Sequence, residues 1–242
     1  MCIPNIHVVN LIYILLICIN IIYERTFPEF TLYKSIKDSH IYTMTDVIKF
    51  YYFDAPGRGE QVRCLLKHAK VPFEDIRYTY EKWAAEKTSP KFEYSQMPML
   101  EYNGKYLSQT PAIMHFLAMK YKYVPENPDL AYQVMNVYCA AVDVFDVFAK
   151  WNYVIKDPKE KEASKADYFN KYIPFMFGKF EERLKVQTNK NVIVGDKLSY
   201  ADFGFAGFCK QTFMAPSDAA LYEPSYKKCP LLKAYFTELM KL

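Results

Sequence analysis

The chain has 242 residues, 51% of them apolar and 24% charged, with a formal net charge of +4. That suffices for one large or two small globular domains, and with no dense Lys/Arg block it excludes nucleic acid as a partner. Cys2, Cys18, Cys64, Cys139, Cys209 and Cys229 show neither metal-ligand nor redox spacing, which excludes a disulfide scaffold and points to reduced thiols in the cytoplasm.

Residues 1–43 stand apart from the rest. Val8 to Tyr23 is a run of 16 mostly apolar residues, interrupted by Asn10 and Asn20. It is short for a membrane span of ~20 residues and has no preceding Lys or Arg, so no stable membrane partner is expected. Three readings compete: a weak signal or anchor, a loosely packed extension, and a mis-set start with translation from Met44. The third is favoured, because Met44-Thr45-Asp46 leads straight into a strand. If residues 1–43 are made, the alternative is a secreted or membrane-anchored protein.

From residue 44 the pattern is regular. Val47 to Phe53 is rich in β-branched and aromatic residues and predicts a strand. Pro56-Gly57 turns the chain, and Val62, Leu65, Leu66 and Ala69 recur at helical spacing, which predicts a helix over 58–70. Phe73 to Tyr78 is a second strand, parallel to the first because a helix crosses between them. After a polar, irregular stretch at 83–94 that admits a short helix, Met99–Tyr102 and Lys105–Leu107 form a hairpin about the Asn103-Gly104 turn. Pro98 precedes the hairpin, where the missing N–H costs no ladder bond. A helix follows over 110–121, with Thr110 as N-cap and Pro111 as first helical residue.

Tyr123 to Pro128 breaks the pattern with two prolines and reads as a linker, taken as 123–130. Helical spacing then continues to the end. Ser199-Tyr200-Ala201-Asp202 predicts a capping box, with Asp where Glu or Gln is usual, opening a very apolar helix at 203–213. The whole predicts an α/β thioredoxin-like domain over 44–122 and an all-α domain over 131–242.

The chemistry concentrates in the first of these. The hairpin segment offers an exposed strand edge, and the helix start at Gln109-Thr110 offers free N–H groups and a positive dipole end that suit a carboxylate. A small peptide with a carboxylate at one end can use both. Tyr52 ends the first strand, just before a helix start. Strand alternation sends Tyr51 to the opposite face. His68 and His115 lack ligand spacing and read as structural, and no metal cluster is expected.

The stretches IKFYYFDAPGRGE at 48–60 and QMPMLEYNGKYLSQTPAI at 96–113, with Trp83, Lys87 and Asp143, resemble the cytosolic glutathione transferases. The match runs from Thr45 to the C-terminus and is best with the tyrosine-type, sigma-like class. It implies the two-domain transferase architecture, glutathione as co-substrate with no metal required, and a homodimer acting on small apolar electrophiles. Tyr52 then holds the thiolate, with Arg58 nearby to favour the anion. Thr110 and Gln109 take the γ-glutamyl end, and Met97, before a cis Pro98, pairs with the cysteinyl backbone. Trp83, Lys87 and Gln96 serve the glycyl end, and Asp143 reaches the glutathione amine of the neighbouring subunit. Phe53, Phe148, Trp151 and Asn152 form the second-substrate pocket. The resemblance also admits a glutathione-dependent prostaglandin D synthase-type isomerase, or a non-catalytic binding or structural protein.

Overall fold

A strand of alternating faces begins the fold. The structure, a computed structural model, describes residues 46–242; the expectations for residues 1–43 lie outside the described residues. In β1 (Ile48–Phe53), Ile48, Phe50 and Tyr52 point into the main core, while Tyr51 joins Tyr78, Phe92 and Met99 in a smaller cluster on the other face. A 3-10 turn at Gly57–Gly59 leads into α1 (Glu60–His68), which buries Val62, Leu65 and Leu66. β2 (Glu74–Tyr78) runs parallel to β1, and β3 (Met99–Tyr102) and β4 (Lys105–Ser108) add an antiparallel hairpin. The four-stranded order is β2-β1-β3-β4, the mixed thioredoxin-like sheet the pattern predicts.

Three boundaries differ from expectation. The long helix of the second half starts at Pro128, inside the expected linker 123–130, because Asn127 caps it and proline suits a first helical position. The short helix admitted for the irregular stretch, α2, runs Tyr80–Glu86 and so begins three residues before it, because Thr79 caps it by accepting the Lys82 N–H at 3.2 Å. α3 runs Thr110–Lys120, so Thr110 is its first residue and Gln109 the N-cap, held at φ 68°. The left-handed backbone of Gln109 ends β4 and starts the helix one residue earlier than the Thr-Pro pair suggests.

The second half is helical: α4 (Pro128–Ala149), α5 (Pro158–Asp167), α6 (Ile173–Val186), α7 (Tyr200–Phe208), α8 (Ala219–Tyr226) and α9 (Pro230–Leu239). Wide π turns extend α4 at Lys150–Val154 and α7 at Cys209–Phe213, and one at Tyr168–Tyr172 joins α5 to α6. The predicted helix at 203–213 is therefore α7 plus its π turn, started early by the capping box. Asp202, fully buried in α7, accepts the Ser199 N–H at 2.7 Å and the Ser199 hydroxyl at 2.9 Å. It also accepts the Ile193 N–H at 2.9 Å and the Tyr235 hydroxyl at 2.7 Å. That one carboxylate ties a loop, the start of α7 and α9 together. Val47–Leu242 packs as one compact unit. The two halves meet where α1 lies on α7 and where the Tyr138 hydroxyl of α4 donates to Gln61 Oε1 of α1 at 2.6 Å, a buried bond.

Candidate functional site

The loop after β1 is fixed before any ligand arrives. Arg63 of α1, fully buried, donates to the Phe53 carbonyl at 3.1 Å and the Ala55 carbonyl at 2.9 Å, and pairs with Asp75 at 3.1 Å. A buried guanidinium needs such complete pairing. Nothing in the sequence distinguishes Arg63 from a surface charge, since it stands among the apolar residues of α1.

Tyr52 is the last buried residue of β1, and only 8% of it is exposed. Its hydroxyl oxygen accepts the backbone N–H of Arg58 at 3.0 Å. Burial pushes its pKa up, while that hydrogen bond and the charges of Arg58 and Arg63 pull it back. The phenol therefore stays protonated at neutral pH. With one lone pair engaged by an N–H, its own proton is free to donate. The packing around the ring is close. A Cβ on Gly57 would stand 2.5 Å from the Tyr52 oxygen, and one on Gly59 would stand 2.4 Å from the ring. Gly57 also sits at φ +45°, where other residues are strained. Tyr51 is committed elsewhere: its hydroxyl donates to Glu101 at 2.8 Å, and burial together with that carboxylate pushes its pKa far up.

Beside this loop lies a polar cavity of about 490 Å3, within the size range of small-molecule sites. Arg58, Trp83, Gln96, Met97, Pro98, Gln109 and Thr110 all line it. The Met97-Pro98 bond is cis. Gln109 Nε2 donates to Gln96 Oε1 at 3.2 Å, so the two amides form one arm of the wall. Thr110, at the start of α3, is 6% exposed, and the first N–H groups of that helix have no partner within it. The wall thus combines a guanidinium, a helix N-terminus, amides and an indole, which together suit a peptide carrying carboxylates. Tyr52 itself is not in the wall; it stands one hydrogen bond away, through Arg58.

Some residues singled out in the sequence lie elsewhere. Lys87 follows α2, is exposed and does not reach the cavity. Asp143 is exposed on α4 and does not line it either; Asp146, one turn on, does, and forms an ion pair with the Arg58 guanidinium. Asp146 is one helical turn from Asp143, but only contact with Arg58 singles it out. Pro111, read as part of the helix start, and Tyr94, Ser95, Ser108 and Val142, none of them expected at a site, complete the wall.

The four residues expected to form an apolar pocket are not brought to one wall. Phe53 packs on Tyr80, Tyr52 and Trp83 at 5.1–6.1 Å between ring centres. Phe148 is buried in the helical core, against Trp151 at 5.2 Å. Trp151 lines a separate cavity of about 460 Å3 with Tyr168, Tyr172 and Phe175. Asn152 turns its carbonyl to the Lys161 ammonium at 2.8 Å. Phe53 ends β1 and Phe148 lies in α4, whereas Trp151 and Asn152 fall in the π turn that follows α4.

Known proteins of one family resemble this chain in sequence and fold. The glutathione S-transferase N-terminal domain family matches residues 48–119, and the C-terminal domain family matches residues 142–242. The class-mu 28 kDa glutathione S-transferase isozyme of Schistosoma japonicum is 31% identical over 160 residues, covering 64% of this chain and 75% of that protein. A glutathione S-transferase of Plasmodium falciparum is 29% identical over 206 residues, covering 79% and 90%. Among solved structures, prostaglandin synthase D of Nilaparvata lugens superposes with a TM-score of 0.70 at 28% identity, covering 81% of this chain and 93% of that one. The Pi-class glutathione S-transferase of Onchocerca volvulus gives 0.68 at 26% identity, covering 79% and 86%.

Proposed function

Because the chain belongs to the glutathione S-transferase family, we propose that Tyr52 holds the glutathione thiolate in its transferase reaction. Glutathione is the co-substrate. A free thiol has a pKa near ~8.5, and holding it ionised near neutrality needs a shift of ~2 units, or about 2.7 kcal/mol in favour of the thiolate. A protonated phenol donating to sulfur can supply most of this, because hydrogen bonds to charged acceptors contribute about 1.5–3 kcal/mol. Arg58 adds positive charge beside the sulfur, though Asp146 shares it. The thiolate then attacks an electrophilic carbon, forming a C–S bond as the leaving group departs or, with an activated alkene, as a proton is taken up.

The cavity divides the tripeptide. Gln109 and Thr110 take the γ-glutamyl carboxylate, Met97 and Pro98 the cysteinyl backbone as an added strand would, and Trp83 and Gln96 the glycyl end. Supporting this division is the shared wall of these six residues. We assign the chain to the tyrosine-type, sigma-like class, acting as a homodimer on small apolar electrophiles in the cytoplasm. The domains are taken as 44–122 and 131–242. Among the described residues no helix is long and apolar enough to cross a membrane. In the dimer Asp143, exposed on α4, is left for the neighbouring subunit.

The observation that carries the reading is the Tyr52 hydroxyl, buried and one hydrogen bond from a wall residue of the cavity. The test is ultraviolet titration of glutathione thiolate bound to wild type and Tyr52→Phe. A thiolate band near neutral pH that the substitution moves to higher pH is expected; identical titrations would sink the assignment. A second reading, glutathione-dependent isomerisation, draws on the likeness to the Nilaparvata lugens prostaglandin synthase D. It needs the same thiolate. Rearrangement of a prostaglandin endoperoxide with no net consumption of glutathione would favour it over conjugation.

A further inference from the structure

One of the wide turns in the helical half delivers a polar side chain to the loop that carries Arg58, and a second supports that side chain. Such turns recur at functional sites. Gln211, from the turn at Cys209–Phe213, accepts the Gly57 N–H on its Oε1 at 2.8 Å. Its Nε2 donates to the Tyr153 hydroxyl at 2.9 Å, and Tyr153 comes from the turn at Lys150–Val154. The Gly57 and Arg58 N–H groups are consecutive, and the second is the one that meets the Tyr52 oxygen. The other backbone anchors of this loop come from α1: Arg63 on the Phe53 and Ala55 carbonyls, and the Glu60 N–H on the Pro56 carbonyl at 2.9 Å. Among the described residues, Gln211 is the backbone anchor supplied from the helical half.

We propose that Gln211 is a positioning residue for the reaction, setting the Tyr52 hydroxyl through the Gly57–Arg58 backbone; this rests on the assignment of Tyr52 above. Three features carry it. Glycine has a wide choice of backbone angles, so an external acceptor is what selects the one that aims the next N–H at the phenol. The space leaves no slack, because the Tyr52 oxygen already stands 2.5 Å from the position a Cβ on Gly57 would take. The amide cannot turn over, because that would set Nε2 against the Gly57 N–H, donor against donor, and Tyr153 holds the far end in place. Tyr153 itself is half exposed, so the path Tyr153–Gln211–Gly57–Arg58–Tyr52 links the outer face of the helical half to the sulfur-binding phenol.

The experiment is the pH profile of the bound thiolate, and of kcat/KM with an aryl halide electrophile, for wild type, Gln211→Met, Gln211→Leu, Tyr153→Phe and Tyr52→Phe. Both Gln211 variants keep the side-chain bulk and lose the acceptor, so one serves if the other folds poorly. We expect each to shift the profile to higher pH and lower kcat/KM near pH 6.5 by about fivefold to tenfold, the effect of one weakened hydrogen bond. KM for glutathione changes less than twofold, because Gln211 does not line the tripeptide cavity. Tyr153→Phe, which frees only the far end of the amide, moves the profile less, in the same direction. A folded Gln211 variant with the wild-type profile overturns the proposal, as does a Tyr153→Phe shift larger than that of Gln211→Met. An unchanged profile in Tyr52→Phe overturns the Tyr52 assignment instead, which separates the two failures.

Discussion

Asp202 and Asp146 are both aspartates on helices of the second half, and they are used in opposite ways. Asp202 has no exposure and four donors, all from this chain. The Asp146 side chain is 51% exposed, and its partner Arg58 is 33% exposed at the edge of an open cavity. The first carboxylate has nothing left to offer a ligand. The second is half committed, and holds a guanidinium in place without saturating it. Burial with full pairing makes a fold element, whereas partial pairing at a cavity edge leaves charge available for chemistry.

Substitutions can break or sharpen that contrast. The largest effect is expected from Asp202→Ala, which leaves four donors in or near the core without their acceptor and should cost about 3–5 kcal/mol, read as a lower urea midpoint at unchanged slope. Next is Tyr52→Phe, expected to lower kcat/KM at neutral pH by about 10- to 100-fold with the unfolding midpoint little changed. A subtler test separates wild type from Asp202→Asn by pH. Burial, the largest influence, raises the Asp202 carboxyl above its ordinary 3.8, and the four donors oppose it. The folded state therefore binds that proton more tightly than the unfolded chain. The group's contribution to stability is fullest below 3.8 and declines as pH rises through the folded value. The stability difference between wild type and Asp202→Asn should fall across that interval and then level off; a rise would reverse the assignment. Asp146→Asn should change unfolding free energy by less than about 1 kcal/mol, as an exposed ion pair does. The smallest catalytic effect belongs to Tyr51→Phe, which loses its bond to Glu101 and about 1 kcal/mol of stability while leaving the thiolate titration in place.

The sequence made one of these aspartates legible and not the other. Ser199 and Asp202 are close in the chain, and a capping box is a local pattern, so its spacing alone announces it. The pairing of Arg58 with Asp146 spans 88 positions and has no local signature. The same division holds elsewhere. The alternation that separates Tyr51 from Tyr52 and the hairpin at Asn103-Gly104 are local and were readable. Arg63 looked like any helix charge because its carbonyl partners come from a loop whose path no periodicity specifies. The expected wall of Phe53, Phe148, Trp151 and Asn152 rested on approximate position along the chain, and position alone does not say which faces the tertiary packing brings together.

The two glycines flanking the phenol bear on any attempt to give this enzyme new substrates. Replacing either would drive a methyl group into the Tyr52 ring or its oxygen. Random libraries that include positions 57 and 59 will therefore mostly return dead variants. A programme of redesign does better to hold that loop constant.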